Sequence, residues 1–518
     1  MKASLRLLAL VIALAWGAIA QEPAPEGPEQ KPPDNKPEQK EGKKPDASKE
    51  DKPKEKTATV AIGGTEVNYV AQTGTMPVLK EDGSPRGNVF YVYYAATGAD
   101  GKRLSTTEPG TRAITFCFNG GPGASAVWLH LGGLGPRTIE WPPDGLTPTT
   151  VGRIIENPNT ILDATDLVFI DPIGTGVSRA AKGEKAEQFF GVDEDIEAVG
   201  EFIRLFVTRE QRWASRKYLC GESYGVIRGA GVADYLQDNH GMFLEGIMLV
   251  SGLLNWQTLS PDPGNDLPYV LALPTLTASA HFHKKLAPEL QSDLGAAVSA
   301  ARTFARGEYA TALLRGRTLP EAEQQAIAER LARLTGLKTE QIVEQELRIR
   351  PEFFREMLLR KEGKILGRFD GRVTSEDGNR GRLSPDFDPS LSNVIGAFSA
   401  SINAYIRGEL GYESDHPYRV LTGLPWRWTS FANKYVAMEP RLADAMKQNP
   451  RFRVLVLVGQ RDLAVPPDAM RYSIDHLPIP VSLRSNIAFV EYDSGHMMYL
   501  FRTDAEKLRR DLVGFLKR

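Results

Sequence analysis

The stretch Arg216-Lys-Tyr-Leu-Cys-Gly-Glu-Ser-Tyr-Gly-Val-Ile-Arg-Gly229 decides the fold. Lys217 to Cys220 is a short β-prone run, and the small residues from Gly229 to Asp234 read as a helix. Between them Gly221-Glu-Ser-Tyr-Gly225 is a Gly-x-Ser-x-Gly pentapeptide. A strand that turns this sharply into a helix tolerates almost no side chain at the flanking positions. It leaves the serine oxygen exposed above the sheet. The helix N-terminus behind it favours negative charge, as the oxyanion of an acyl transfer requires. A glycine-rich strand-to-helix turn also occurs as plain structure. The rest of the chain must therefore supply a base, an orienting acid and an oxyanion hole.

Working outward, Ala113-Ile-Thr-Phe-Cys-Phe118 and Asp166-Leu-Val-Phe-Ile-Asp171 are continuous apolar runs, the pattern of buried strands. The first ends at Asn119-Gly-Gly-Pro-Gly-Ala-Ser-Ala126, whose glycines leave backbone N–H groups accessible. Thr57 to Ala71 and Gly87 to Thr97 read as further strands. Asp193 to Trp213 reads as a helix, with Ile196, Val199, Ile203 and Phe206 at helical spacing. Gly246 to Ser251, Phe452 to Val458 and Ile487 to Tyr492 add strands, and Thr503 to Leu516 a last helix. Strands alternating with helices predict a mostly parallel sheet covered on both faces. From about Asn255 to Glu439 the pattern becomes largely helical, with Thr318-Leu-Pro-Glu321 as an expected capping box. That segment is expected to form a cap over the sheet edge that carries the serine.

A serine hydroxyl needs a base, and the base needs an acid to hold it. In an α/β-hydrolase sheet these follow in the chain order serine, acid, histidine, each at the carboxyl end of a strand. Gly459-Gln-Arg-Asp462 follows one strand and Asp493-Ser-Gly-His496 the next. Asp462 is thus the expected acid, ahead of Asp468, and His496 the expected base, ahead of His476, which no strand directly precedes. His281 and His283, within the insertion, are expected to be surface or structural residues.

The ends and composition bound the rest. Lys2 and Arg6, the apolar run from Leu7 to Trp16 and Ala18-Ile-Ala20 describe a cleavable secretory signal over residues 1–20. Its apolar core is shorter than a membrane helix needs, so no stable membrane insertion is expected after cleavage. The destination is the periplasm or the medium. Residues 21–57 are rich in Pro, Lys and Glu and nearly free of apolar side chains, as in a disordered linker. Residues 58–518 then suffice for one large domain with its cap insertion. A formal net charge of −2 gives no hint of nucleic acid. Cys117 and Cys220, the only cysteines, sit in apolar runs and are expected as buried free thiols. No metal-ligand spacing and no cofactor motif is present.

Together these motifs resemble the serine carboxypeptidases of peptidase family S10. The resemblance rests on Asn119-Gly-Gly-Pro-Gly123 with Leu134-Gly-Pro136, Gly221-Glu-Ser-Tyr-Gly225, Gly459-Gln-Arg-Asp462 and Gly495-His-Met-Met498. Gly174-Thr-Gly-Val-Ser178 is similar to a further family stretch. The resemblance implies Ser223, Asp462 and His496 as catalytic residues and the N–H groups of Gly121 and Tyr224 as the oxyanion hole. It implies Asn119, Gly120 and Glu222 as the site for the substrate's terminal carboxylate, with peptide or protein C-termini as substrates. A carboxyl group can bind a carboxylate only when it is itself protonated, so Glu222 implies activity that favours acidic pH. The chain also departs from the family. Cys117 stands where a tryptophan is usual, Gly133 where a second glutamate is usual, and Gly123-Ala-Ser-Ala126 replaces Gly-Cys-Ser-Ser. With the clamp thinned in this way, an esterase or acyltransferase is the second expectation and a silent binding protein the third.

Overall fold

Six parallel strands put the ends of four loops at one edge of the sheet. The computed structural model describes residues 52–107, 110, 112–378 and 387–517. The expected leader and most of the expected linker lie outside the described residues. Strand β1 (Lys54–Ile62) begins within the last residues of that linker segment. It pairs antiparallel with β2 (Thr65–Leu79), which pairs antiparallel with β3 (Pro85–Thr97). The single strand expected from Thr57 to Ala71 is therefore a hairpin. Gly63 and Gly64 both take positive φ, 56° and 83°, and reverse the chain there.

After β3 come β4 (Ile114–Phe118), β5 (Asp166–Asp171), β6 (Lys217–Glu222), β7 (Gly246–Val250), β8 (Arg453–Gly459) and β9 (Ile487–Tyr492). The order across the sheet is β1-β2-β3-β5-β4-β6-β7-β8-β9, with a two-residue strand, Arg179–Ala180, beside β3. From β5 to β9 every pairing is parallel. Successive strand side chains point to opposite faces, and β3 shows the result. Tyr91 and Tyr93 enter the core on one face, and Phe90, Val92 and Tyr94 enter the core on the other.

The first face is covered by α1 (Val192–Arg209), α2 (Tyr224–His240) and α7 (Glu439–Gln448). The second is covered by α6 (Pro389–Gly408) and α8 (Arg502–Lys517). Helix α1 stops short of its expected end at Trp213. Gln211 has a φ of 54°, and Arg212 turns inward to give Asp166 Oδ2 a 2.6 Å hydrogen bond. Cys117 and Cys220 lie side by side in register on β4 and β6, buried and free.

Between β7 and β8 the chain builds the cap. Helices α3 (Leu267–Phe282), α4 (Leu294–Phe304) and α5 (Glu321–Thr335) share their own apolar core, to which Leu273, Phe304 and Leu331 contribute. Leu463, next to Asp462, belongs to that core too, so the cap packs directly on the acid loop. The expected capping box is not formed. Pro320 occupies the N-cap of α5, and the Thr318 hydroxyl donates to Arg315 O at 2.8 Å instead. Among the described residues no helix is long and apolar enough to cross a membrane. None of their His, Cys, Asp and Glu side chains form a group that could hold a metal ion.

Candidate active site

Ser223 joins β6 to α2 with φ 63° and ψ −127°, a conformation an L-residue adopts only when its surroundings enforce it. They do so by crowding. A Cβ on Gly221 would lie 2.2 Å from Gly225 O, and one on Gly225 2.9 Å from Phe118 O. Ser223 N donates to Val250 O at 2.9 Å, which ties the elbow to β7. The serine is half-buried, while Glu222 and Tyr224 on either side are buried.

Loops from the carboxyl ends of β4, β8 and β9 converge on this elbow. Asn119, Gly120, Gly121, Glu222, Ser223 and His496 line one cavity of about 380 Å³, a volume typical of small-molecule sites. Tyr224 and Asp462 stand just behind its wall. Gly120 lies against the first turn of α2, where a Cβ would come 2.3 Å from Tyr224 N. The Tyr224 N–H opens that helix and has no acceptor within it, so it is available to an oxyanion beside Gly121.

His496 Nδ1 and Asp462 Oδ2 are 2.6 Å apart. The other Asp462 oxygen accepts from Ala464 N and Val465 N, each at 2.9 Å. Burial pushes Asp462 above its ordinary carboxylate range, against the pull of His496 and these two donors. Burial would lower His496, but the charge and hydrogen bond of Asp462, with Glu222 behind, leave it raised. Among the described residues no hydrogen bond joins Ser223 Oγ to His496. Such bonds commonly close only around substrate. Asp468 and His476 are elsewhere occupied: Asp468 accepts from Arg302 at 2.7 and 2.9 Å, and His476 Nδ1 lies 2.7 Å from Tyr472 O. His283 Nε2 lies 2.7 Å from Gly371 O, a structural contact, and His281 Nε2 is buried without a partner.

Glu222 is 2 % exposed, and burial raises its carboxyl to about 7. Hydrogen bonds from Asn119 and Tyr499 and the charge of His496 oppose that rise. The Asn119 amide oxygen accepts from Leu129 N at 3.1 Å, so its NH₂ is the group turned to Glu222. This places a buried acid, protonated below neutral pH, and an amide donor at one end of the cavity.

Three positioning features were not legible in the sequence. Phe369 O accepts from His496 N at 2.6 Å, Asp370 Oδ2 from Gly495 N at 3.0 Å, and Arg461 O from Gly371 N at 2.9 Å. A strap from the insertion thus binds both loops of the Asp–His pair. Tyr499, from the turn after His496, donates to Glu222. Arg228, fully buried on α2, donates to Asp195 Oδ2 at 2.8 Å and to the Asn119 carbonyl, with Phe118 and Tyr224 rings beneath its charge. Replacing Arg228 by Met strands the Asp195 charge. A loss of about 3–5 kcal/mol is expected in urea denaturation; a loss below about 1 kcal/mol would show the pair to be dispensable.

Residues 66–262 match the family model described as serine carboxypeptidase, Peptidase_S10. Over that part, less than half of its length, the chain is similar to the serine carboxypeptidase family. The match takes in the Asn119 loop and the elbow, whereas Asp462 and His496 lie beyond it. Among solved structures the chain is similar to Kex1(delta)p, a prohormone-processing carboxypeptidase from Saccharomyces cerevisiae. Identity is 15 %, coverage is 87 % of this chain and 91 % of that one, and the TM-score is 0.50. It is also similar to proline iminopeptidase of Mycobacterium smegmatis (13 %, 89 % and 98 %, TM-score 0.32). A third likeness is to the peroxisomal alpha-beta-hydrolase Lpx1 of S. cerevisiae (12 %, 90 % and 90 %, TM-score 0.33). At its level of identity the first likeness shows the fold. No curated protein matches the chain.

Proposed function

We propose that this chain is an exported serine carboxypeptidase that removes C-terminal residues through an acyl-enzyme. Residues 1–20 act as a cleaved signal and residues 21–57 as a linker to the catalytic domain, with about 255–439 as its cap. The mature protein works in the periplasm or the medium. Ser223 Oγ attacks the last peptide carbonyl while His496 takes its proton. His496 then gives that proton to the departing amino acid, and water repeats the cycle on the ester. Asp462 holds the imidazole with Nε2 free to act as base. The N–H groups of Gly121 and Tyr224 receive the oxyanion, and Asn119, Gly120 and Glu222 receive the terminal carboxylate.

The observation that carries this reading is the buried Glu222 beside the nucleophile, with the Asn119 amide turned to it. An esterase has no need of a neutral acid at that position. The productive state has a proton on Glu222 and none on His496. Because the two groups interact, the steps of the pH profile belong to the pair.

Glu222 is raised to about 7, so carboxylate binding is present below that pH and is lost as pH rises through it. Beyond it, wild-type kcat/KM for a free-acid peptide is expected to fall about tenfold per pH unit. Glu222→Gln donates a hydrogen bond at every pH. Its kcat/KM is expected to stay level above pH of about 7, with a lower maximum. The same alkaline fall in wild type and in Glu222→Gln would remove Glu222 from the carboxylate site.

A further inference from the structure

Gly132 and Gly133 lie buried against the ring of Tyr499. A Cβ on Gly132 would sit 2.5 Å from Tyr499 Cε2, and one on Gly133 3.0 Å from Tyr499 Cβ. A side chain at 133 would crowd the tyrosine and require it to give way. Tyr499 is 3 % exposed, and its hydroxyl lies 3.1 Å from each Glu222 oxygen, which are its hydrogen-bond partners. Position 133 is where the family usually carries a second glutamate. In this chain the space that side chain would claim is filled from the opposite direction, by a residue that follows His496 in sequence.

We propose that Tyr499 takes the place of the missing carboxyl group as the positioning residue of the carboxylate clamp. It fixes Glu222 in its rotamer and lets it titrate as a single acid. The inference rests on the role given to Glu222 above.

The chemistry of the two arrangements differs. Two adjacent carboxyl groups share a proton, because both cannot ionise side by side. A phenol in this position brings no second carboxyl charge, and its one hydroxyl proton is shared between the two oxygens of an ionised Glu222. Burial and the neighbouring Glu222 push its own pKa well above 10, so it stays protonated throughout the working range. Donation to both oxygens favours the ionised form of Glu222 and opposes the effect of burial. The other groups facing Glu222 are Asn119 from the loop after β4, His496 from the loop after β9 and Asp462 behind it. Cys220 is close enough to act on the phenol, and Arg368 lines the same cavity from the insertion.

The test compares wild type with Tyr499→Phe, which keeps the ring and removes the donor. Two substrates sharing one acyl group are followed from about pH 4 to about pH 9. One is a blocked dipeptide with a free C-terminal carboxylate, and the other an ester of an uncharged alcohol. For the peptide, the alkaline limb of kcat/KM is expected to move up by about one pH unit in Tyr499→Phe. KM below the limb is expected to rise severalfold as Glu222 loses its anchor, while the ester keeps its wild-type alkaline side. An unmoved peptide limb, or peptide and ester profiles that shift together, would overturn the inference and leave Tyr499 as packing. Wild type that hydrolyses the ester but never the peptide would overturn the role of Glu222 as well. That outcome is recognisable without the variant.

Discussion

Ser223→Ala is expected to lower kcat by roughly a million-fold for peptide and ester alike, with KM little changed. The size follows from the site's construction. The serine supplies the bonding electrons, and the elbow's other hydroxyl, on Tyr224, is buried away from the cavity. The remaining oxyanion donors and the carboxylate clamp still bind substrate, so binding should survive the loss of chemistry. The substitution adds no atom to a crowded turn. The variant should therefore unfold at the same urea concentration as wild type and lose all labelling by a fluorophosphonate. Residual turnover within about a hundredfold of wild type would mean that another nucleophile does the work.

Asp462→Asn is expected to lower kcat about 10⁴-fold, and the geometry says why. One Asp462 oxygen accepts two backbone N–H groups, from Ala464 and Val465, and the other faces His496 Nδ1. In the variant the amide oxygen must keep the two N–H donors, so its NH₂ points at Nδ1. An imidazole that accepts at Nδ1 carries its proton at Nε2, the atom that must take the serine's proton. The wrong tautomer is enforced by the backbone. Loss of the Asp462 charge also removes what holds His496 above its ordinary value. The acid limb of the profile should therefore move to lower pH while the residual rate stays low. A variant with near-native kcat would show that Asp462 only braces its loop.

What the sequence made legible was what the backbone dictates. The elbow is written in Gly221, Ser223 and Gly225 because their side chains, or lack of them, are fixed by local contacts a few residues away. Asp462 and His496 could be placed because parallel strands deliver their loops to one edge. Glycines at the ends of those loops answer to close approach as well: a Cβ on Gly459 would lie 2.0 Å from Gly495 O. The hairpin at Gly63 and Gly64 was read through, since alternation alone does not reveal a reversal. The capping box at Thr318 failed because proline at 320 and a nearer carbonyl offered the threonine a different bond.

The residues that support the site were the least legible. Phe369 and Asp370 meet Gly495 and His496 across more than a hundred residues of chain, through a backbone carbonyl and a carboxylate that no local motif marks. Arg228 lies within the quoted elbow stretch, yet nothing local shows that its charge is buried against Asp195. Tyr499 did leave a trace: two consecutive glycines at 132 and 133 with a tyrosine three residues after the histidine. Only the packing shows that one fills the space left by the other.

The most direct measurement is mass spectrometry of a free-acid peptide and its C-terminal amide at about pH 5 and about pH 7.5, with wild type and Ser223→Ala. The expected result is stepwise loss of C-terminal residues from the acid alone, faster at the lower pH and absent in the variant. Intact peptides in every arm, with hydrolysis of a small acyl ester retained by wild type, would contradict it and make the chain an esterase built on a carboxypeptidase frame.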